Sequence, residues 1–138
     1  AEFRLPAFAV RPNRAMLAAQ GIPGAEEVFA AVLALLDEAG GPVLDAFDAD
    51  SLDFADGAGL AHNHARLDRL KPGVTYLICH PARDGEELRA AMPRGAHQRD
   101  FERSFYGGEA GRRALEERGI RTVGMRPLRD LMREKGAC

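Results

Sequence analysis

Val74-Thr75-Tyr76-Leu77-Ile78-Cys79-His80-Pro81 is a run of β-branched, aromatic and aliphatic residues that ends abruptly in a histidine and a proline. Such a run is the most strongly strand-like segment of the chain. Proline lacks a backbone N–H and stops it. Lys71-Pro72-Gly73 supplies a turn in front of it. Moving upstream, Gly59 to Leu70 reads as a helix with Leu60, Leu67 and Leu70 on one side. Before it, Pro42-Val43-Leu44-Asp45-Ala46-Phe47 reads as a second strand, followed by an acidic loop from Asp48 to Asp56.

Gly24 to Ala39 is the clearest helix, with Val28, Val32, Leu35 and Leu36 as its apolar stripe and Gly40-Gly41 as its stop. The chain opens with a short strand, Ala7-Phe8-Ala9-Val10, and Asn13 then caps a short helix running to Gln20. Downstream of Pro81, helices are expected at about Glu86–Met92, Ala96–Tyr106 and Glu109–Arg118. A last strand follows, Ile120-Arg121-Thr122-Val123-Gly124, and then a closing helix, Pro127–Lys135. About four parallel strands alternating with helices make an α/β fold, read as one domain over residues 1–138.

Composition agrees with a globular chain: 46% hydrophobic and 29% charged residues in 138. No window holds the roughly 18 apolar residues of a membrane span, and the start lacks the basic-then-apolar pattern of a signal peptide. Only two cysteines occur, Cys79 and Cys138, too few for a disulfide framework. A reducing, cytoplasmic setting is therefore expected. Residues 1–70 carry five basic and eleven acidic side chains, whereas residues 71–138 carry fourteen and ten. The basic residues are interleaved with acids and lack an aromatic platform, which argues against nucleic acid as a partner.

His80 is the leading candidate for chemistry. It sits where a parallel strand ends, the place where α/β folds gather functional side chains. An imidazole there can act as general acid or base, or simply satisfy a loop carbonyl. Asp45 and Asp48 flank Phe47 at the end of the preceding strand; either can bind a sugar hydroxyl, orient a histidine, or cap the loop. Asp50, Asp53 and Asp56 lack the glycine and glutamate of a calcium loop and read as solvated surface. His62 and His64 are two residues apart, on opposite sides of a helix, and cannot chelate one metal from it. His97 reads as a surface histidine. The four hydroxyl residues, Ser51, Thr75, Ser104 and Thr122, show no nucleophile motif, and no Cys/His cluster has zinc-site spacing.

The segment Leu70-Lys71-Pro72-Gly73-Val74-Thr75-Tyr76-Leu77-Ile78-Cys79-His80-Pro81-Ala82 resembles the C-terminal half of the YdjC-like (ChbG/HpnK-type) carbohydrate deacetylases. The likeness continues through Glu86-Glu87-Leu88-Arg89, Arg99-Asp100, Ala114-Leu115 and Arg118-Gly119-Ile120-Arg121. Upstream, Leu5-Pro6 and Pro42 to Phe47 fit the same register.

This resemblance implies half of a TIM-barrel-like (β/α) scaffold and an enzyme that removes the acetyl group from N-acetyl amino sugars. It implies a divalent metal, zinc or magnesium, that polarises the amide and activates water. In the family an aspartate and two histidines of the N-terminal half hold that metal, and their motifs do not occur in residues 1–138. The chain itself is therefore expected to hold no metal and to be inactive alone. On the same basis His80 is the expected catalytic residue, and Arg99 and Asp100 match a charged pair that braces the mouth for a small carbohydrate substrate or forms a purely structural ion pair; Asp45, from its own place at the strand end, is the further expected substrate-binding residue. A half-barrel exposes sheet edges, so a homodimer or higher self-association is expected. The alternative is a non-catalytic α/β module that binds a small ligand or oligomerises.

Overall fold

The computed structural model describes residues 9–11, 17–18, 21–22 and 24–134. Within them run, in order, α1 (Glu26–Glu38), β1 (Ala46–Asp48), α2 (Gly59–Asp68), β2 (Thr75–Leu77), α3 (Glu86–Ala91), α4 (Ala96–Tyr106), α5 (Glu109–Glu116) and α6 (Met125–Glu134). The two strands lie side by side and parallel. Their ladder is marked by Ala46 N–H donating to the Val74 carbonyl and Ile78 N–H donating to the Asp48 carbonyl. The same hand of pairing joins Val10 to Leu44 in a single parallel bridge. The protein is thus a mixed helix and strand fold.

Two compact units are present. One comprises the described residues up to Phe47, with Gly73–Thr75 and the described residues from Thr122; the other comprises Asp48–Pro72 and Tyr76–Arg121.

In the first unit α1 ends as its sequence requires. Gly40 turns at φ 67, and its N–H and that of Gly41 donate to the carbonyls of Asp37 and Leu36, the double closure of a Schellman cap. The inward side of this helix agrees with the expected stripe at Leu36 and differs from it elsewhere. Val28 and Leu35 are 68% and 66% exposed and Val32 is exposed as well, whereas Phe29, Leu33 and Leu36 are half-buried. α1 is apolar nearly all round, so two stripes at helical spacing compete, and the bulkier one, which carries phenylalanine, turns inward.

The core of the second unit is the packing of α2, α4 and α5 against β2. Leu67, Phe105 and Ala114 are buried at its centre, with Leu70, Leu77, Phe101, Tyr106, Leu115 and Ile120 packed around them. Phe101 stacks on Phe105 with ring centroids 5.8 Å apart. The first residue of α2 is a glycine because a Cβ there would sit 2.7 Å from the Phe101 ring. The face that α2 buries consists of Gly59, Asn63, Arg66 and Leu67, while Leu60 is left exposed. Two of those four are polar, and they lead to the site.

Ile120–Gly124 forms no strand among the described residues, contrary to expectation. Val123 is 58% exposed, and a β-branched run without a neighbouring edge to pair with has no ladder to join. The expected opening strand is represented by the bridge at Val10; Ala7, Phe8 and Asn13 lie outside the described residues, as do Leu5-Pro6 and Cys138.

Candidate functional site

His80 lies three residues beyond β2 and is exposed. Its Nδ1 is 2.9 Å from the Ser51 hydroxyl oxygen, on the loop that follows β1. Ser51 is buried and donates to Glu102 Oε1 at 2.8 Å. The other carboxylate oxygen, Oε2, accepts from the His80 backbone N–H at 2.6 Å. Glu102, on α4, therefore holds the histidine twice, once through its main chain and once through Ser51.

Beneath them is Arg66, from α2, with 0% of its side chain exposed, as for Glu102. Its Nη1 donates to Glu102 Oε1 at 3.1 Å and to Asn63 Oδ1 at 3.3 Å. Its Nε donates to Asp48 Oδ1 at 3.0 Å and its Nη2 to the Ile78 carbonyl at 2.7 Å. The Tyr106 hydroxyl closes the network by donating to Asn63 Oδ1 at 2.9 Å. Burial disfavours the Arg66 charge, but Tyr106 and Asp48 outweigh it and the net shift of its pKa is upward. Burial likewise raises the Tyr106 pKa, against the opposing pull of Arg66. Both groups thus keep their ordinary states, cationic and neutral, at the pH of life.

Cys79 stands next in the chain. Its thiol is pushed up to about 11 by burial and by Glu102, with Arg66 pulling the other way. A thiol held protonated is a poor nucleophile, so Cys79 acts here as a small packing residue.

The loop after His80 is tied to α4. Ala82 N–H donates to the Arg99 carbonyl at 3.2 Å, and Asp84 N–H donates to Asp100 Oδ1 at 3.3 Å. The Arg103 hydrogen bond, then that of Asp84, holds the Asp100 carboxyl below its ordinary range. Among the described residues, Arg99 Nε is buried without a hydrogen-bond partner, as is Gln98 Oε1. Arg99 and Asp100 thus brace the loop that carries His80. Asp45 belongs to the first unit, is exposed, and accepts the Val74 N–H at 2.8 Å through Oδ2.

Asp48 takes one of the roles expected of it, the loop cap, and adds one that was not expected, the pair with Arg66. Its Oδ1 accepts the Asp50 N–H at 3.2 Å, an Asx-type turn, and it also pairs with Arg66. The remaining histidines stand apart from His80's network. His62 Nε2 is 2.9 Å from the Asp50 carbonyl, His64 Nδ1 accepts from Arg118 at 3.1 Å, and His97 pairs with Asp56. Among the described residues no three His, Cys, Asp or Glu side chains come together as a metal site.

Sequence reasoning named His80 but passed over Ser51, Arg66 and Glu102. A signal for one of them was present. Gly59, Asn63, Arg66, Leu67 and Leu70 recur at helical spacing, so an arginine stands on the stripe that the leucines mark as buried. A buried charge must be paired, and that requirement points to an acid on a neighbouring element.

No protein-family model matches this chain, and a search of curated proteins finds no match to it.

Proposed function

We propose that this chain is the C-terminal portion of a metal-dependent deacetylase acting on N-acetyl amino sugars, with His80 as its acid/base residue. The observation that carries the reading is the solvent-open imidazole at the end of a parallel strand, tied through Nδ1 to a buried hydroxyl, carboxylate and guanidinium. That is the support given to a histidine that must exchange protons without moving. Amide hydrolysis needs such a group. A proton leaves the attacking water, the carbon–nitrogen bond breaks, and the departing amine takes a proton. His80 accepts the first and returns it to the nitrogen.

The donors for the zinc or magnesium of this reading are not assembled among the described residues. On this reading they are the aspartate and two histidines that the resemblance places in the family's N-terminal half, and the metal would polarise the amide carbonyl and activate water. β1, β2 and the run at Val10 are then part of a half of a TIM-barrel-like sheet. Arg99 and Asp100 brace the loop that carries His80, and Asp45 remains a candidate for the carbohydrate's hydroxyls. No helix among the described residues is long and apolar enough to cross a membrane.

The test is deacetylation of N-acetylglucosamine oligomers, with zinc or magnesium added, by the chain alone and by the chain joined to the polypeptide encoded upstream of Ala1. The chain alone is expected to be inactive and the longer protein active, with His80→Ala lowering turnover about 10²–10⁴-fold. An unaffected H80A enzyme removes the role of His80, and robust turnover by residues 1–138 alone overturns the division of the site. Self-association belongs to the same reading, and a monomer in sedimentation at micromolar concentration would remove it.

A further inference from the structure

The network under His80 has a direction. Glu102, paired with Arg66, offers only acceptors as a carboxylate. Its two oxygens meet three donors: the Arg66 guanidinium, the His80 backbone N–H and the Ser51 hydroxyl. Ser51 has one proton to give, and at 2.8 Å from Glu102 Oε1 that proton must lie between the two oxygens. What Ser51 then turns toward His80, 2.9 Å away, is a lone pair. Two lone pairs facing each other at that distance repel, so the Nδ1 of the ring must carry a proton. The reverse arrangement, with Ser51 donating to Nδ1, would leave Glu102 Oε1 and Ser51 Oγ in contact with no proton between them. It would require a protonated Glu102 beside the Arg66 cation.

We infer that Ser51 and Glu102 are positioning residues that hold neutral His80 in its Nδ1–H tautomer and so leave Nε2 as the basic nitrogen. A free histidine side chain prefers the opposite tautomer, with the proton on Nε2, so the network inverts an intrinsic preference. Arg66 stands one step further back, as the buried cation paired with Glu102. Nε2 takes part in no hydrogen bond among the described residues, and it is the atom from which a proton would be exchanged with a bound substrate or water. The order is unlike that of a serine hydrolase, in which the hydroxyl hands its proton to the imidazole. Here the hydroxyl's proton is committed to the carboxylate, and Ser51 is an orienting group rather than a nucleophile.

The consequence for catalysis rests on the acid/base reading of His80, but the tautomer itself does not. It is measured without substrate, by long-range ¹H–¹⁵N correlation spectra of the 138-residue chain at a pH where the ring is neutral. His62, His64 and His97 serve as internal references. For the wild type the expected result is a protonated Nδ1 and an unprotonated Nε2 on His80. Ser51→Ala removes the acceptor and should return the ring to Nε2–H, whereas Ser51→Thr, which keeps a hydroxyl, should restore Nδ1–H. Glu102→Gln should weaken the bias, because its amide presents a donor to one of the donors it now faces. A wild-type His80 protonated on Nε2 overturns the inference outright, even if S51A or E102Q fails to fold. So does an Nδ1–H tautomer that survives in both variants. If the tautomer is as expected and H80A still leaves the longer enzyme fully active, the acid/base reading alone has failed.

Discussion

Replacing Arg66 by methionine should cost the second unit about 3–5 kcal/mol, the usual penalty for removing one partner of a buried ion pair. The structure places the case at the severe end of ion-pair loss. Arg66 and Glu102 are both fully buried, with their charged atoms 3.1 Å apart. Four acceptors (Asp48, Asn63, Ile78 and Glu102) receive hydrogen bonds from the one guanidinium. Methionine refills the volume of the aliphatic stem but none of those bonds. Asp48 can turn to water, being partly exposed, whereas Glu102 cannot, and it keeps only the Ser51 and His80 donors. Against a total stability on the order of 5–15 kcal/mol, this is a large share. With a urea slope near the lower part of the usual range, about 1.5 kcal/mol/M, the midpoint should fall by roughly 2–3 M. Urea unfolding followed by circular dichroism measures it. Tyrosine emission is a second probe, since the chain has no tryptophan. Arg112→Met is the control, because its pair with Glu109 is 65% and 67% exposed, and such a change should stay within about 0.5 kcal/mol. Adding Glu102→Gln to Arg66→Met removes the stranded charge, so the double variant should lose less than the sum of the singles. An R66M cost below about 1 kcal/mol, in the range of exposed pairs, would refute the reasoning. Strict additivity in the cycle would refute it as well.

Three further outcomes follow from the same unit. Cys79, pushed up by burial to about 11 from its ordinary 9.0, keeps its proton in the fold after the unfolded chain has lost it. Stability is then fully present below pH 9 and falls as pH rises from 9 toward 11; urea midpoints across that window should fall more in the wild type than in Cys79→Ala. With Cys138→Ser removing the second thiol, native Cys79 should resist alkylation until about pH 11, and reaction at the rate of a free thiol near pH 8.5 would contradict its burial. Gly59→Ala should destabilise by about 1–3 kcal/mol through overpacking, since the new Cβ would lie 2.7 Å from Phe101. Gly85→Ala meets nothing within 4 Å and should be near neutral; equal effects in thermal melts would show that the Phe101 contact is soft.

The elements that were legible in the sequence are those whose apolar pattern has one solution. α4 runs from Ala96 to Tyr106 as its spacing indicates, and α2 and α3 begin where their glycines and glutamates place them. Where the pattern has two solutions it misleads. On α1, Val28, Val32 and Leu35 form as good a helical stripe as Phe29, Leu33 and Leu36, and only tertiary packing distinguishes them. Strand pairing at Ile120–Gly124 depends on a partner edge that local sequence cannot supply. The site divides in the same way. His80 was visible because it ends a strand, a local property. Ser51 and Glu102 were not, because their roles rest on contacts 29 and 51 residues apart in the chain, between residue types that are ordinarily solvated.

That buried network is a costly way to fill space. Well-packed apolar residues in place of a buried ion pair are often neutral or stabilising by about 1–4 kcal/mol. Stability alone therefore gives little reason to put a serine, a glutamate and an arginine under one histidine. The combined variant Arg66→Met, Glu102→Leu and Ser51→Ala separates the two demands. It strands no charge on α4, and Asp48 remains within reach of water and of Arg69. It should be at least as stable as Arg66→Met alone. His80, however, loses both its Ser51 acceptor and the carboxylate that holds its backbone N–H, and its tautomer should revert to that of a free side chain. Urea unfolding and the ¹⁵N spectrum of one protein sample read the two effects separately. A variant that keeps the Nδ1–H tautomer would show that the network serves the fold and not the ring. One that unfolds more readily than Arg66→Met would show that the fold depends on the network's polar bonds themselves.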